Sequence, residues 1–163
     1  ATANSAVVKN SCTYPIHILP VAPGTTPKSE IIQPGQTFTR PLHISPKCIP
    51  GHPNALCGGV SLKVSRHPND NNVIQFEYTA VDGLVWYNLS LIVCIKKPGG
   101  CVGHEGGYKA VAAQAQGCRE FKCGPSETCD TEAYFIEEYG YQDGAPVGAC
   151  RLDGGVAFEV CAG

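Results

Sequence analysis

The 163-residue sequence lacks the features that mark several large protein classes. Its apolar stretches, such as residues 89–95, are far shorter than the about 20 residues that a membrane-spanning helix requires. No two cysteines have C-x-x-C spacing, which argues against a zinc ribbon and a thioredoxin-type redox site. The formal net charge is only −2. We therefore expect no strongly basic face and no nucleic-acid partner.

Common catalytic and cofactor motifs are also missing. No serine lies in G-x-S-x-G, and no glycine-rich stretch carries the Lys-Ser/Thr of a phosphate-binding loop. Because the first residue is Ala1, we expect no copper site built on an N-terminal histidine. The pair His104-Glu105 lies in a glycine-rich loop that we interpret as plain loop. The sequence predicts no metal and no cofactor, because its five histidines lie in separate segments: His17, His43, His52, His67 and His104.

Cysteine, glycine and proline are abundant instead, with 10, 19 and 13 residues, and methionine is absent. An even number of cysteines in a loop-rich chain is typical of secreted domains that are held together by disulfides. Ala1-Thr2-Ala3 resembles a start left by signal-peptide cleavage. We therefore expect an extracellular protein with five disulfides and no free thiol.

Short alternating segments separated by turn residues predict an all-β fold. Val60, Leu62 and Val64 would form one face of a strand, and similar strands are predicted at residues 73–79 and 84–93. Pro34-Gly35 suits a tight reversal between two further strands. Such spacing favours an antiparallel β-sandwich. Helical signal is confined to the later third, in alanine-rich "YKAVAAQAQG" at residues 108–117 and in "TEAYFIEEYG" at residues 131–140.

Several segments together resemble the thaumatin-like superfamily. They are "VVKNSC", "IQPGQTFTR", "QFEYTAVDGL" and the tail "CREFKC…C…AC…FEVCAG". The similarity is greatest to the short fungal secreted members of the yeast-phase-specific type. It implies one thaumatin-like domain over residues 1–163, an antiparallel β-sandwich with a small disulfide-rich region. Residues 1–93 and 151–163 would supply the sandwich strands, and residues 94–150 the disulfide-rich loops and short helices.

The resemblance also implies disulfide pairings. The family joins its first cysteine to its last, which here gives Cys12–Cys161. The remaining pairs that it suggests are Cys118–Cys150, Cys123–Cys129 and Cys48–Cys57. Cys94 and Cys101 have no family counterpart, and their pairing rests on elimination and on closeness in sequence.

Thaumatin-like proteins carry an acidic cleft that is credited with β-glucan binding or weak β-1,3-glucanase activity. Glu77 and Asp82, which precedes Gly83, match two of its acids, and the same resemblance places Lys63 near one of them. Five residues of straight strand span about 17 Å and turn the two side chains to opposite faces. Glycosidase carboxylates are only about 5–9.5 Å apart, so a bulge at residues 79–81 would be needed to pair them. The alternative is that Glu77 is a plain strand residue and Asp82 orders the turn.

The next strand carries two further candidates on its more polar face. An exposed Trp86 could stack on a sugar ring, whereas the alternative interpretation places it beneath a loop. Asn88-Leu89-Ser90 is an N-glycosylation sequon, and the same alternation predicts an accessible Asn88.

The sequence thus predicts a secreted, monomeric binding protein that acts at a cell wall or a host interface, with β-glucan or another cell-wall polysaccharide as ligand. Its candidate binding residues are Lys63, Glu77, Asp82 and Trp86. One alternative is a weak endo-β-1,3-glucanase that uses Glu77 and Asp82. Another is a secreted effector or defence protein that targets a host protein. Because Gln75 and Thr79 beside Glu77 are polar, we do not expect the raised carboxyl pKa that catalysis would need.

Overall fold

A computed structural model of the chain describes residues 4–46, 58–112, 117–135 and 146–163. Eleven strands form two sheets in these residues. The strands are β1 Ser5–Asn10, β2 Ile16–Val21, β3 Glu30–Ile32, β4 Thr37–Pro41, β5 Val60–Ser65, β6 Ile74–Val81, β7 Leu84–Ser90, β8 Tyr108–Ala112, β9 Phe121–Cys123, β10 Val147–Arg151 and β11 Val156–Val160. A 3-10 turn, Leu152–Gly154, precedes β11.

The two sheets pack face to face around one apolar core. The first has the order β4-β1-β11-β8-β9, and the second has the order β10-β7-β6-β5-β2-β3. Their inner faces meet where the rings of Phe76 and Phe158 stack with centroids 4.7 Å apart and where Tyr87 meets Phe121 edge-on at 5.8 Å. The predicted antiparallel β-sandwich is confirmed: among the described strands, all pairs are antiparallel except β1 and β11, which run parallel.

Alternation of side chains explains why the predicted strands form. Along β6, buried and half-buried residues alternate over all eight positions, which is typical of a strand with one face on the core. In β5 the predicted inner residues Val60, Leu62 and Val64 are all buried. The outer faces of β5, β6 and β7 therefore carry the polar residues of these strands.

The alanine-rich helix predicted at residues 108–117 is wrong where the structure describes it. Tyr108–Ala112 is strand β8, paired with β11 and β9. Tyr108, Ala110 and Ala112 are buried and alternate with half-buried residues, so burial on one face outweighs the helix propensity of alanine. The described part of segment 94–150 supplies strands β8 and β9 and most of β10 to the two sheets.

The second predicted helix, at residues 131–140, is also not formed in its described part. The chain makes one turn, in which the Ala133 N–H donates to the Cys129 carbonyl at 3.0 Å. Tyr134 then forms an isolated bridge with Ser90. Residues 136–145 lie outside the described residues.

Four of the predicted disulfides are confirmed: Cys12–Cys161, Cys94–Cys101, Cys118–Cys150 and Cys123–Cys129. The described residues include no free cysteine. Cys48 and Cys57 lie outside the described residues, so their pairing stays a prediction.

Candidate functional site

The outer face of the six-stranded sheet carries an open groove of about 350 Å³. It lies where the β6–β7 hairpin joins its neighbours β5 and β10. Glu77 pairs with Asn88 across the hairpin and with Ser61 on β5, and Asn88 pairs with Val147 on β10. The described lining residues are Gly59, Val60, Ser61, Glu77, Tyr78, Thr79, Trp86, Asn88 and Val147.

Glu77 lies on the floor of this groove in a partly buried position. Burial raises the pKa of its carboxyl group, while a hydrogen bond from the Asn88 side chain and the charge of Lys63 lower it. The expectation that its polar neighbours would leave this carboxyl unperturbed is therefore wrong. Strands β5 and β7 shield Glu77 from water. The identities of the side chains along β6 gave no sign of this shielding.

Trp86 is 37% exposed and lies beside Glu77 in the groove wall. The interpretation that it sits beneath a loop is wrong for the described residues. Its cross-strand partner is Thr79 on one side and Ala149 on the other, both small. A large indole between two small neighbours leaves a face open, and such a face can stack on the apolar face of a sugar ring.

Asp82 lies outside the groove, at the tip of the β6–β7 hairpin. Asp82 and Gly83 have φ angles of 52° and 74°, as a two-residue type I′ turn requires. The β6–β7 register is continuous over seven pairs from Gln75↔Ser90 to Val81↔Leu84, so β6 has no bulge there. The structure thus does not bring Asp82 to Glu77, and Asp82 has the turn-ordering position of the alternative interpretation.

Asn88 lies on the outer face, as the alternation predicted, but it is half-buried and not fully accessible. Its amide group reaches into the groove, where it hydrogen-bonds to Glu77. Its Oδ1 atom is buried and has no hydrogen-bond partner among the described residues. A buried acceptor without a donor is costly, so a hydroxyl or water donor in the groove would stabilise it.

Lys63 lies on the same outer face, two pairs further along the β5–β6 ladder, opposite Gln75. It lines a neighbouring cavity instead of the groove itself. Its charge still acts on Glu77. The structure therefore brings together Glu77, Trp86 and Lys63 on one face, and leaves Asp82 at the hairpin tip.

Ser61, Thr79 and Val147 also line the groove and were not predicted. A two-residue Asp-Gly hairpin fixes the register of its strands, so Asp82-Gly83 already implied that Glu77 faces Asn88 and Thr79 faces Trp86. Ser61 and Val147 come from strands that are distant in sequence, and no local signal could place them. Gly59 had no signal either; a Cβ there would lie 2.8 Å from the Tyr78 carbonyl oxygen and would also meet Thr79.

Among the described residues, no group of three or more His, Cys, Asp or Glu side chains could hold a metal ion. No helix within the same ranges is long and apolar enough to span a membrane.

Comparison with known proteins agrees with this architecture. The family described as "Bys1: Blastomyces yeast-phase-specific protein" matches residues 1–162. The chain belongs to the Bys1 family. This membership confirms the predicted similarity to yeast-phase-specific proteins of the thaumatin-like superfamily.

A curated relative of this Bys1 family member is the antigenic thaumatin-like protein of Arthroderma benhamiae, 27% identical over 88 residues. The match covers 54% of this chain and 40% of the relative, so the chain spans less than half of that protein.

Two solved structures share the fold of this Bys1 family member. The protein elicitor MoHrip2 from Magnaporthe oryzae has a TM-score of 0.68 and 21% identity, over 98% of this chain and 100% of its own. The thaumatin-like xylanase inhibitor TLXI has a TM-score of 0.57 and 10% identity, over 96% of this chain and 98% of its own. At these identities the likeness shows a common fold, which is thaumatin-like.

Proposed function

We propose that this protein is a secreted binding protein whose groove on the six-stranded sheet takes a cell-wall polysaccharide, with β-glucan as the ligand class. The observation that carries the proposal is the exposed Trp86 beside the partly buried Glu77–Asn88 pair. Stacking on an aromatic face, together with fixed polar groups at its edge, suits a ligand that is apolar on its faces and polar on its rim.

The polar groups of the groove match a polyhydroxyl ligand. The Glu77 carboxylate accepts hydrogen bonds, the Asn88 Oδ1 atom needs a donor, and Thr79 both donates and accepts. The groove is open to solvent and polar for much of its lining. An extended polysaccharide could therefore lie across the sheet with both of its ends in solvent.

Extracellular localisation is part of this proposal. The described residues contain four disulfides, and such a density is typical of secreted domains. The family membership and the antigenic thaumatin-like relative support the same compartment.

A pull-down against insoluble β-1,3-glucan, chitin and cellulose tests the proposal. We expect retention on β-1,3-glucan and a loss of about tenfold, near 1.4 kcal/mol, in Trp86→Ala. Ile31→Ala is the matched control, because Ile31 is a 56% exposed apolar residue of the same sheet, on β3 and outside the groove. Equal retention of wild type and Trp86→Ala, or no retention at all, would contradict the proposal.

Hydrolysis of β-1,3-glucan is the first alternative, and we expect little of it. Glu77 and Asp82 are not brought together, whereas paired acid and nucleophile roles need carboxyl groups about 5–9.5 Å apart. Reducing-sugar release by wild type, Glu77→Gln and Asp82→Asn measures this directly. Robust release by wild type that is abolished in either variant would favour the enzyme.

A protein target is the second candidate, and one surface favours it. Leu84 and Trp86 are 38% and 37% exposed on the same face of β7, with exposed Ala149 beside Trp86 on β10. Structural neighbours are named an elicitor and a xylanase inhibitor. Leu84→Asp separates the two functions: it should abolish a protein contact and leave polysaccharide retention unchanged, since Leu84 does not line the groove.

A further inference from the structure

A second cavity lies on the same outer face, directly beside the groove. Its volume is about 360 Å³. Strands β2, β5 and β6 supply its floor through residues that include His17, Lys63 and Gln75, and the polar loop at 69–71 and Lys97 form its rim.

The groove and this second cavity are adjacent along the β5–β6 ladder. Ser61 and Glu77 line the groove, and the next outward pair, Lys63 and Gln75, lines the second cavity. Successive outward residues of a strand are roughly 7 Å apart. The Ser61 hydroxyl contacts the Gln75 Oε1 atom at 3.1 Å, so the two cavities share one boundary.

The second cavity carries more cationic than anionic groups. Lys63 and Lys97 both line it, and Asp70 is the one carboxylate among its described lining residues. The Asp70 Oδ1 atom already accepts the Asn72 backbone N–H at 2.8 Å. Within the described part of the chain, the Lys97 ammonium group contacts the Asn71 carbonyl oxygen at 3.5 Å and no carboxylate, so its charge remains available to a ligand. His17 adds a ring nitrogen at the floor.

Lys63 links the two cavities electrostatically. It lies in the second cavity, yet its charge acts on Glu77 in the groove. A ligand that places a negative group near Lys63 would thus gain a charge-assisted hydrogen bond on one side, while its neighbouring unit reaches Trp86 and Asn88 on the other.

We propose that the second cavity binds the anionic group of an acidic saccharide chain whose neighbouring neutral face stacks on Trp86. The ligand class is a polysaccharide with carboxylate-bearing units, and Lys63 and Lys97 select it over the uncharged chain. This inference rests on the proposed saccharide groove and specifies which chains that groove prefers.

The test compares an oligo-β-glucuronate with its carboxyl-reduced product, which has the same linkage and length but no charge. We expect wild type to bind the acidic form about fivefold more tightly, since each partly exposed ion pair contributes up to about 1 kcal/mol. Added salt should remove this preference, because it screens exposed charges. A sulfated β-glucan, as a second arm, distinguishes carboxylate selection from general anion binding.

Lys63→Gln/Lys97→Gln should bind both forms equally, whereas the control Lys122→Gln should behave as wild type, because Lys122 is exposed on β9 of the other sheet. Trp86→Ala should weaken binding of both forms. Equal binding of the two forms by wild type would overturn the inference and leave the groove intact. Binding of neither form would contradict the proposed groove itself. If the double variant still preferred the acidic form, residues other than Lys63 and Lys97 would supply the selecting positive charge, and the assignment to these two lysines would be overturned.

Discussion

Glu77 shows how strongly a single residue depends on strands that lie far away in sequence. Its own strand places polar residues beside it, yet β5 and β7 cover it enough to raise its pKa. Asn88 and Lys63 oppose that shift. The carboxyl group is therefore partly shielded from water but remains next to a hydrogen-bond donor and a cation, which suits ligand binding.

We expect Glu77→Gln to be more stable than wild type at pH 7, by about 1 kcal/mol or less. Burial raises the folded-state pKa of Glu77 above its ordinary value of 4.5, so the folded protein binds this proton more tightly than the unfolded chain does. The stability from protonation is fully present below pH 4.5 and is lost as the pH rises through the folded-state pKa.

Urea unfolding of both proteins between pH 3 and pH 8 measures this difference, which should vanish near the acidic end. Glu120→Gln is the control, because Glu120 is exposed and forms a surface ion pair with Lys109 at 3.4 Å. A Glu77→Gln protein that is less stable at neutral pH would show that the ionised carboxylate stabilises the fold.

Asn88 is the second residue whose surroundings matter to function. We predict that it carries a glycan when the chain is made in a eukaryotic secretory pathway, because Asn88-Leu89-Ser90 is a sequon on the outer face of β7. A glycan there would occupy the groove, so the glycosylated protein should bind polysaccharide less well than Asn88→Gln. Mass measurement before and after glycosidase treatment is the test, and an unmodified Asn88 in secreted protein would contradict it.

At the scale of elements, the β6–β7 hairpin positions the whole site. Its type I′ turn sets the register, and the register places Glu77 beside Asn88 and Thr79 beside Trp86. Asp82 thus acts on the groove through backbone geometry. Asparagine and glycine also tolerate a positive φ, whereas a β-branched residue does not.

We therefore predict that Asp82→Val destabilises the fold by about 1–2 kcal/mol, while Asp82→Asn and Asp82→Gly stay close to wild type. The physical reason is the φ of 52° at Asp82, which a branched Cβ strains. Thermal unfolding of the three variants is the measurement. If Asp82→Asn lost as much stability as Asp82→Val, the carboxylate itself would be the stabilising group.

At the scale of the whole molecule, the two ends of the chain are held side by side. Strand β1 pairs in parallel with β11, and Cys12–Cys161 joins the residues that follow each of them. The Ser11 hydroxyl also donates to a Glu159 carboxylate oxygen at 2.5 Å. The five-stranded sheet therefore depends on contacts between the first and last strands of the described chain.

We predict that Cys12→Ser/Cys161→Ser lowers the free energy of unfolding by about 5 kcal/mol, because this disulfide closes a loop with a sequence separation of 149. Cys123→Ser/Cys129→Ser, with a separation of 6, should cost only about 2 kcal/mol in the same chain-entropy description. Urea unfolding compares the two, and non-reducing peptide mapping verifies the remaining pairs. Equal losses of unfolding free energy would mean that joining the two chain ends covalently adds no stability beyond the pairing of β1 with β11.

The sequence by itself determined much of the fold. Alternation along β5, β6 and β7, the turn residues at Pro34-Gly35 and Asp82-Gly83, and the resemblance of the end segments led to a disulfide-rich sandwich with four correct cystine pairs. These features are local, or they follow from the family resemblance. They could therefore be recognised in the sequence before any tertiary contact was known.

Only the tertiary structure decided which side chains share the site. Tyr108–Ala112 has a helical composition but is strand β8, because pairing with β11 buries its alternate residues. Ser61 and Val147 reach Glu77 through strand order, and strand order depends on packing between distant segments. The burial that raises the pKa of Glu77 has the same origin. Local pattern specifies which face of a strand is outward, and non-local pairing specifies what lies beside it.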